Sequence, residues 1–149
     1  MVINPIYFDE IQQWYVIFLP RSAPRSCWWH WLVRDEFAHC WLAREIGPRQ
    51  MMVVEQNDWG IAVQIIDRPL DEYLLEQGRI ATAILGYTAD YRRQTQPRRR
   101  VIYTCVNTVK AVLGLYHCAE VQTPYGLYKL MLRYAATTVV KPFVPFVHA

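Results

Sequence analysis

The sequence predicts an α+β fold, a small antiparallel sheet packed on a helix that begins at a cysteine. Short runs of β-branched and aromatic residues fill the first two thirds of the chain, separated by turn residues close enough for hairpins. Two later segments carry helix-start signatures, Thr104 before Cys105 and the pair Thr123-Pro124. The composition, 53% hydrophobic and 19% charged over 149 residues, suits one globular domain that buries a core without disulfide or metal staples.

Each element has its own justification. Ile11–Leu19 (IQQWYVIFL) is β-branched and aromatic and stops at Pro20, as a strand would. Residues 21–26 are a Ser/Pro/Arg loop, and the Trp-dense stretch 27–33 reads as a buried turn or a short edge strand. Residues 37–46 (FAHCWLAREI) form the next strand, punctuated by Gly47-Pro48, and 50–56 (QMMVVEQ) its antiparallel partner. The turn Asn57-Asp58-Trp59-Gly60 leads into another strand at 61–66. Residues 69–77 open with acids and end before Gly78, the pattern of a short helix.

Residues 80–91 fit a helix or a strand; Thr82, Ile84, Tyr87 and Thr88 favour the strand. The segment 94–100 (QTQPRRR) is a polar, basic loop. Thr104 then caps a helix that puts Cys105, Val109 and Val112 on one face and ends at Gly114. A last helix starts at Thr123-Pro124, with Leu127, Leu130, Met131 and Tyr134 as its apolar stripe. From Ala135 the chain is β-like and interrupted by Pro142 and Pro145. The expectation is a single domain over 1–149, with 135–149 either an extended interaction tail or a packed C-terminal strand.

Charge and composition narrow the function classes. A net charge of +3 neither demands nor excludes an anionic partner. Arg92, Arg93, Arg98, Arg99 and Arg100 cluster, but no stacking aromatics alternate with them, so a solvated loop is expected and nucleic acid is not. Val139 to Val147 is too short to span a bilayer and carries Lys141, Pro142 and Pro145, so no membrane span is expected. Asp9 and Glu10 stand where a signal peptide would be basic and apolar, and cysteines at 27, 40, 105 and 118 are too sparse for a disulfide scaffold. A reduced compartment is expected, in the host cytoplasm or in a virion.

Cys105 is the residue with the clearest chemistry. A thiol is a weak nucleophile until it ionises, and the positive end of a helix favours the thiolate. The first-turn N–H groups can also stabilise an oxyanion. His39, on the strand 37–46, is the imidazole expected to favour that thiolate. Simple hairpin pairing sets His39 opposite Asn57, with Glu55 as its diagonal neighbour on the same face. Glu55 is the first candidate to orient the imidazole because it brings a charge, and Asn57 is the second. Cys27, His30, His39 and Cys40 could be read as zinc ligands, but the spacing fits no common knuckle and adjacent strand residues point to opposite faces. No metal and no cofactor are expected. Cys40 and Trp41 read as a core pair, and Cys118 beside His117 as a loop pair without partners.

These segments resemble the circularly permuted NlpC-type branch of the papain-like cysteine peptidases, in which the histidine strand precedes the cysteine helix. Phe37-Ala38-His39-Cys40-Trp41-Leu42 resembles the family's histidine strand, and Val53-Val54-Glu55-Gln56 the strand that follows it. Thr104-Cys105-Val106-Asn107-Thr108-Val109-Lys110 with Leu113-Gly114 resembles its cysteine helix. The segment 123–128 (TPYGLY) is similar to the closing helix of small members in phage and prophage genomes. The resemblance implies a half-barrel sheet against the cysteine helix, amide or ester chemistry, and the roles nucleophile for Cys105, base for His39 and orienting acid for Glu55. The Gly-containing helix signature of peptidoglycan peptidases is absent.

Two functions follow from different classes. One is a thiol hydrolase of peptidase or amidase type, passing through an acyl-cysteine on a peptide or a peptidoglycan-stem-like substrate. The other is a non-catalytic, virion-associated component that keeps the fold and meets phage structural proteins through the 142–147 tail (PFVPFV).

Overall fold

A computed structural model describes residues 11–22, 24, 31–91, 104–115, 117–134 and 136–140. The strands are β1 (Ile11–Leu19), β2 (His39–Gly47), β3 (Gln50–Asn57), β4 (Gly60–Ile66), β5 (Ala83–Asp90) and a short β6 (Thr137–Val140). The helices are α1 (Leu70–Gln77), α2 (Cys105–Leu113) and α3 (Pro124–Arg133). All pairings are antiparallel, in the order β4-β3-β2-β1-β5-β6. The fold is α+β. Among the described residues no helix is long and apolar enough to cross a membrane.

Period-two alternation divides the core between the two faces of this sheet. Val16, Phe18, Cys40, Leu42, Val54 and Leu85 face the layer that contains Val106, Val109, Leu113, Leu127 and Met131 of α2 and α3. Ile17, Ala43, Met51, Val53 and Ile84 face the other way, onto Leu74 of α1. Cys40 and Trp41 are therefore not a core pair. Cys40 lies in the first cluster, while Trp41 packs in the second and donates its indole N–H to Tyr73 Oη at 3.1 Å.

Several boundaries move from the expected positions. β2 begins at His39 because Asp35–Phe37 forms one 3-10 turn, closed by Phe37 N–H donating to Arg34 O at 3.0 Å. Ala38 N–H then donates to Leu19 O at 2.8 Å, which delivers the chain into β2 beside the end of β1. The segment 80–91 is strand only from Ala83, since Gly78 N–H still donates to Leu74 O at 2.8 Å and a turn carries the chain on to Ile80. Of the expected tail, 137–140 pair with β5 as β6. Residues 142–147 and the arginines at 92, 93 and 98–100 lie outside the described residues.

Local chemistry then fixes α2, which carries the cysteine. Thr104 caps it, its hydroxyl accepting from Asn107 N–H at 3.2 Å, and Gly114 ends it at φ 73°, a left-handed conformation that suits glycine. Thr108 donates its hydroxyl to Gln56 Oε1 at 3.1 Å, tying the helix to β3. At the other end Tyr91 donates to Val112 O at 2.7 Å while accepting from the Trp14 indole at 2.8 Å. Lys110, buried, donates to Cys118 O at 3.0 Å and Val121 O at 2.8 Å, fastening the loop that leads to α3. These ties leave α2 little freedom to rotate or slide on the sheet. Cys118 is also partnered: it is buried, and its thiol lies 3.9 Å from Tyr134 Oη, which His117 Nε2 meets at 3.2 Å.

Candidate functional site

The site forms where the start of β2 meets the head of α2. Leu42 pairs with Val54 and Ala43 with Val53. Carrying that register toward the open end of the hairpin sets His39 across from Asn57, with Glu55 on the diagonal. His39 Nε2 lies 3.0 Å from Glu55 Oε1, and both side chains are about one third exposed, 33% and 37%. Glu55, rather than Asn57, is thus the group that holds the imidazole. The His39 ring also lies 5.7 Å from that of Trp41, centroid to centroid, so the indole flanks it on the same side of the strand.

Cys105 is the first residue of α2 and half-buried. The side chains of His39 and Cys40 and the Cys40 backbone lie around its thiol and act on its ionisation. These contacts hold its thiol at about 5, well below the ordinary 9.0. The Cys40 side chain is the largest cause, burial opposes it, and the nearness and positive charge of His39 lower the value further. Burial pulls His39 down, yet Cys105 beside it, followed by Glu55, outweighs it and raises its pKa above 6.5. Both directions favour an ion pair. Each group favours the charged form of the other.

The three residues expected from the sequence therefore come together. Cys40 was not expected among them. It is fully buried, and its pKa is raised well above 9.0 by burial and then by Cys105 beside it, so it stays neutral. The signal for it was the same alternation used to set zinc aside. If His39 and Cys40 point to opposite faces, Cys40 must face the layer that contains the helix of Cys105.

Around this centre lie groups without acid–base partners in it. Tyr73 of α1 is raised above 10.0, chiefly by burial, with the Trp41 bond opposing and the negative charge of Glu55 adding. Thus Tyr73 stays neutral beside the carboxylate. Among the described residues no three His, Cys, Asp or Glu side chains gather in a way that could hold a metal ion, and Cys27 and His30 lie outside those residues. Comparison with protein-family models, with curated proteins and with solved structures finds no match for this chain.

Proposed function

We propose that the chain is a thiol hydrolase of peptidase or amidase type, built on the permuted papain-like plan and working through an acyl-cysteine. One observation carries this reading: His39 Nε2 is engaged by Glu55 Oε1 at 3.0 Å, and that same histidine lowers the pKa of Cys105, the first residue of α2. That engagement leaves Nδ1 to serve the sulfur. The Cys105 thiolate attacks the carbonyl carbon of an amide or ester, and the negative charge moves onto the carbonyl oxygen. The Cys105 N–H, which has no intrahelical acceptor at the head of α2, is the donor for that oxyanion.

His39 gives its proton to the leaving amine or alcohol as the C–N or C–O bond breaks, leaving the acyl group on sulfur. Neutral His39 next takes a proton from water, the hydroxide adds to the acyl carbon, and the thiolate leaves as the free acid forms. Glu55 keeps the ring oriented throughout and stabilises its charged form. The substrate is a peptide or a peptidoglycan-stem-like chain, and the setting is the host cytoplasm or a virion.

The test uses an activated ester, p-nitrophenyl acetate, followed by peptide substrates. Intact-mass measurement after acid quench is expected to find one acetyl group on Cys105. His39→Ala is expected to slow its formation by roughly 10²- to 10⁴-fold, the range for loss of a positioned acid–base group. Acetylation spread over surface lysines, with none at Cys105, would sink the reading.

A second reading is the non-catalytic assembly component, and a specific feature favours it. On the edge strand β4, Ile61, Val63 and Ile65 alternate on one face, and each is more than half exposed. Exposed apolar edges of this kind mark surfaces that pair with something. The two readings are compatible, since Ile61, Val63 and Ile65 are not among the groups that act on Cys105, although β4 runs beside Glu55 through Ala62.

A further inference from the structure

Gln56 follows Glu55 on β3 and takes no part in the proposed reaction steps. We propose that Gln56 is a positioning residue for that reaction, its carboxamide oxygen accepting from the Thr108 hydroxyl and so fixing the head of α2, with Cys105, over the strand whose Glu55 holds His39. This inference rests on the hydrolase reading and deepens it by naming what sets the helix of the nucleophile against the sheet.

Consecutive residues of a strand point to opposite faces. Glu55 is turned to His39 and lies 3.0 Å from its Nε2. Gln56 shares the other face with Val54, the face that α2 covers, and its Oε1 lies 3.1 Å from the Thr108 hydroxyl. The orientation of the amide follows from its other end. Nε2 donates to Asn57 O at 2.9 Å, which leaves Oε1 to meet Thr108. β3 is itself held on both sides. Val53 and Val54 pair with Ala43 and Leu42 of β2, and Glu55 and Gln56 pair with Ala62 and Ile61 of β4.

Thr108 is the matching piece on α2. It lies about one turn beyond Cys105, and its N–H donates to Thr104 O at 3.0 Å, closing the first turn of the helix. A threonine inside a helix often turns its hydroxyl back onto the carbonyl four residues before it. Thr108 gives its single O–H to β3 instead, across 52 residues of sequence. The residue is only 5% exposed, so Gln56 is the acceptor that satisfies a hydroxyl shielded from water. A bond at this point restrains the rotation of the first turn about the helix axis, and that rotation decides where the Cys105 side chain points. The groups that act on the Cys105 thiol, Cys40 and His39, both belong to β2. Consecutive residues of β3 thus serve the two sides of the reaction, Glu55 the imidazole and Gln56 the helix that carries the thiol.

The test compares Thr108→Val, which keeps the shape and removes the donor, with Thr108→Ser, which keeps the donor. Gln56→Leu removes the acceptor at a half-buried position, and a double variant combines it with Thr108→Val. Each is shown folded by circular dichroism; if Thr108→Val does not fold, Gln56→Leu and Thr108→Ser carry the same comparison. Iodoacetamide labelling of Cys105 is followed by peptide mass spectrometry from acid to alkaline pH, giving the midpoint of thiolate formation. In the wild type the midpoint is expected at about 5. Thr108→Val and Gln56→Leu are each expected to raise it by about half a unit, roughly a threefold loss of labelling rate on the acid side. Thr108→Ser is expected to stay close to the wild type, and the double variant to shift no further than the larger single one, because both remove the same bond. Thr123→Ala, which weakens the start of α3, is expected to lower Tm without moving the midpoint.

A midpoint that stays at the wild-type value in Gln56→Leu overturns the inference while leaving the hydrolase reading intact. So do equal rises in Thr108→Ser and Thr108→Val, a double variant whose shift is the sum of the two singles, or a similar rise in Thr123→Ala, each of which assigns the effect to packing or to general loosening. A wild-type midpoint at the ordinary thiol value defeats the hydrolase reading and this inference together.

Discussion

At the scale of single residues, the paired shifts of Cys105 and His39 set a pH window. The Cys105 pKa is depressed from 9.0 to about 5, so the stability it contributes is complete above its unfolded value and is lost as pH falls toward 5. The His39 pKa is raised from 6.5, so its contribution is complete below that value and is lost as pH rises through the folded one. Activity that needs the ion pair is therefore expected to follow a bell, with an acid limb near 5 from Cys105 and an alkaline limb above 6.5 from His39. Glu55→Gln removes a charge but keeps a side chain of the same size at the imidazole. It is expected to move the alkaline limb downward and leave the acid limb near its place. A pH profile of kcat/KM for both proteins checks this, and an alkaline limb that stays fixed would remove Glu55 from the role. His39, Glu55 and Cys105 were legible in the sequence because strand period and helix capping are local rules. The nearness of Cys40 to that thiol was not, because a cysteine inside an apolar strand looks like packing until the facing helix is in place.

At the scale of elements, the cap on α2 does two jobs that the cap on α3 does not. Thr104 accepts from Asn107 N–H at 3.2 Å, and Thr123 accepts from Gly126 N–H at 3.1 Å, so the two caps are chemically alike. Replacing either threonine with alanine is expected to cost about 1 kcal/mol of stability, read as a lower Tm. Only Thr104→Ala is expected also to raise the midpoint of Cys105 labelling, since fraying the first turn of α2 loosens the sulfur from its place beside β2. Thr123→Ala is the control. Equal labelling profiles in the two variants would mean that the first turn of α2 is held by the sheet and not by its cap. Both helix starts were legible from Thr104 and from Thr123-Pro124, and the hairpins from their turn residues. The start of β2 was not legible, since Phe37 is as apolar as any strand residue. What ends the turn at Phe37 is the bond from Ala38 N–H to Leu19 O, a contact across the sheet that no local pattern encodes.

At the scale of the whole molecule, the sheet is covered unevenly. Its centre lies under α2 and α3 on one face and α1 on the other, while β4 stands at an edge with Ile61 at 52%, Val63 at 59% and Ile65 at 58% exposure. Trp59, in the turn that leads into β4, is 96% exposed. Ile61 pairs with Gln56, Val63 with Val54 and Ile65 with Met52, so the three lie on the side of the sheet that α2 covers further in. An exposed row of β-branched residues on a strand that has one neighbour among the described residues contributes little to the stability of its own chain and favours association. The variant with Ile61→Thr, Val63→Thr and Ile65→Thr keeps β propensity and removes most of that apolar surface. Each substitution is expected to change stability by no more than about 0.5 kcal/mol, so Tm should move little. Light scattering over a concentration series is expected to find association in the wild type that the variant loses. Ile61, Val63 and Ile65 are not among the groups that act on Cys105, so its labelling should be the same in both proteins at low concentration. A wild type that stays monomeric throughout would remove the support that β4 lends to the assembly reading. A Tm that falls by many degrees would mean instead that these side chains are buried in the folded chain.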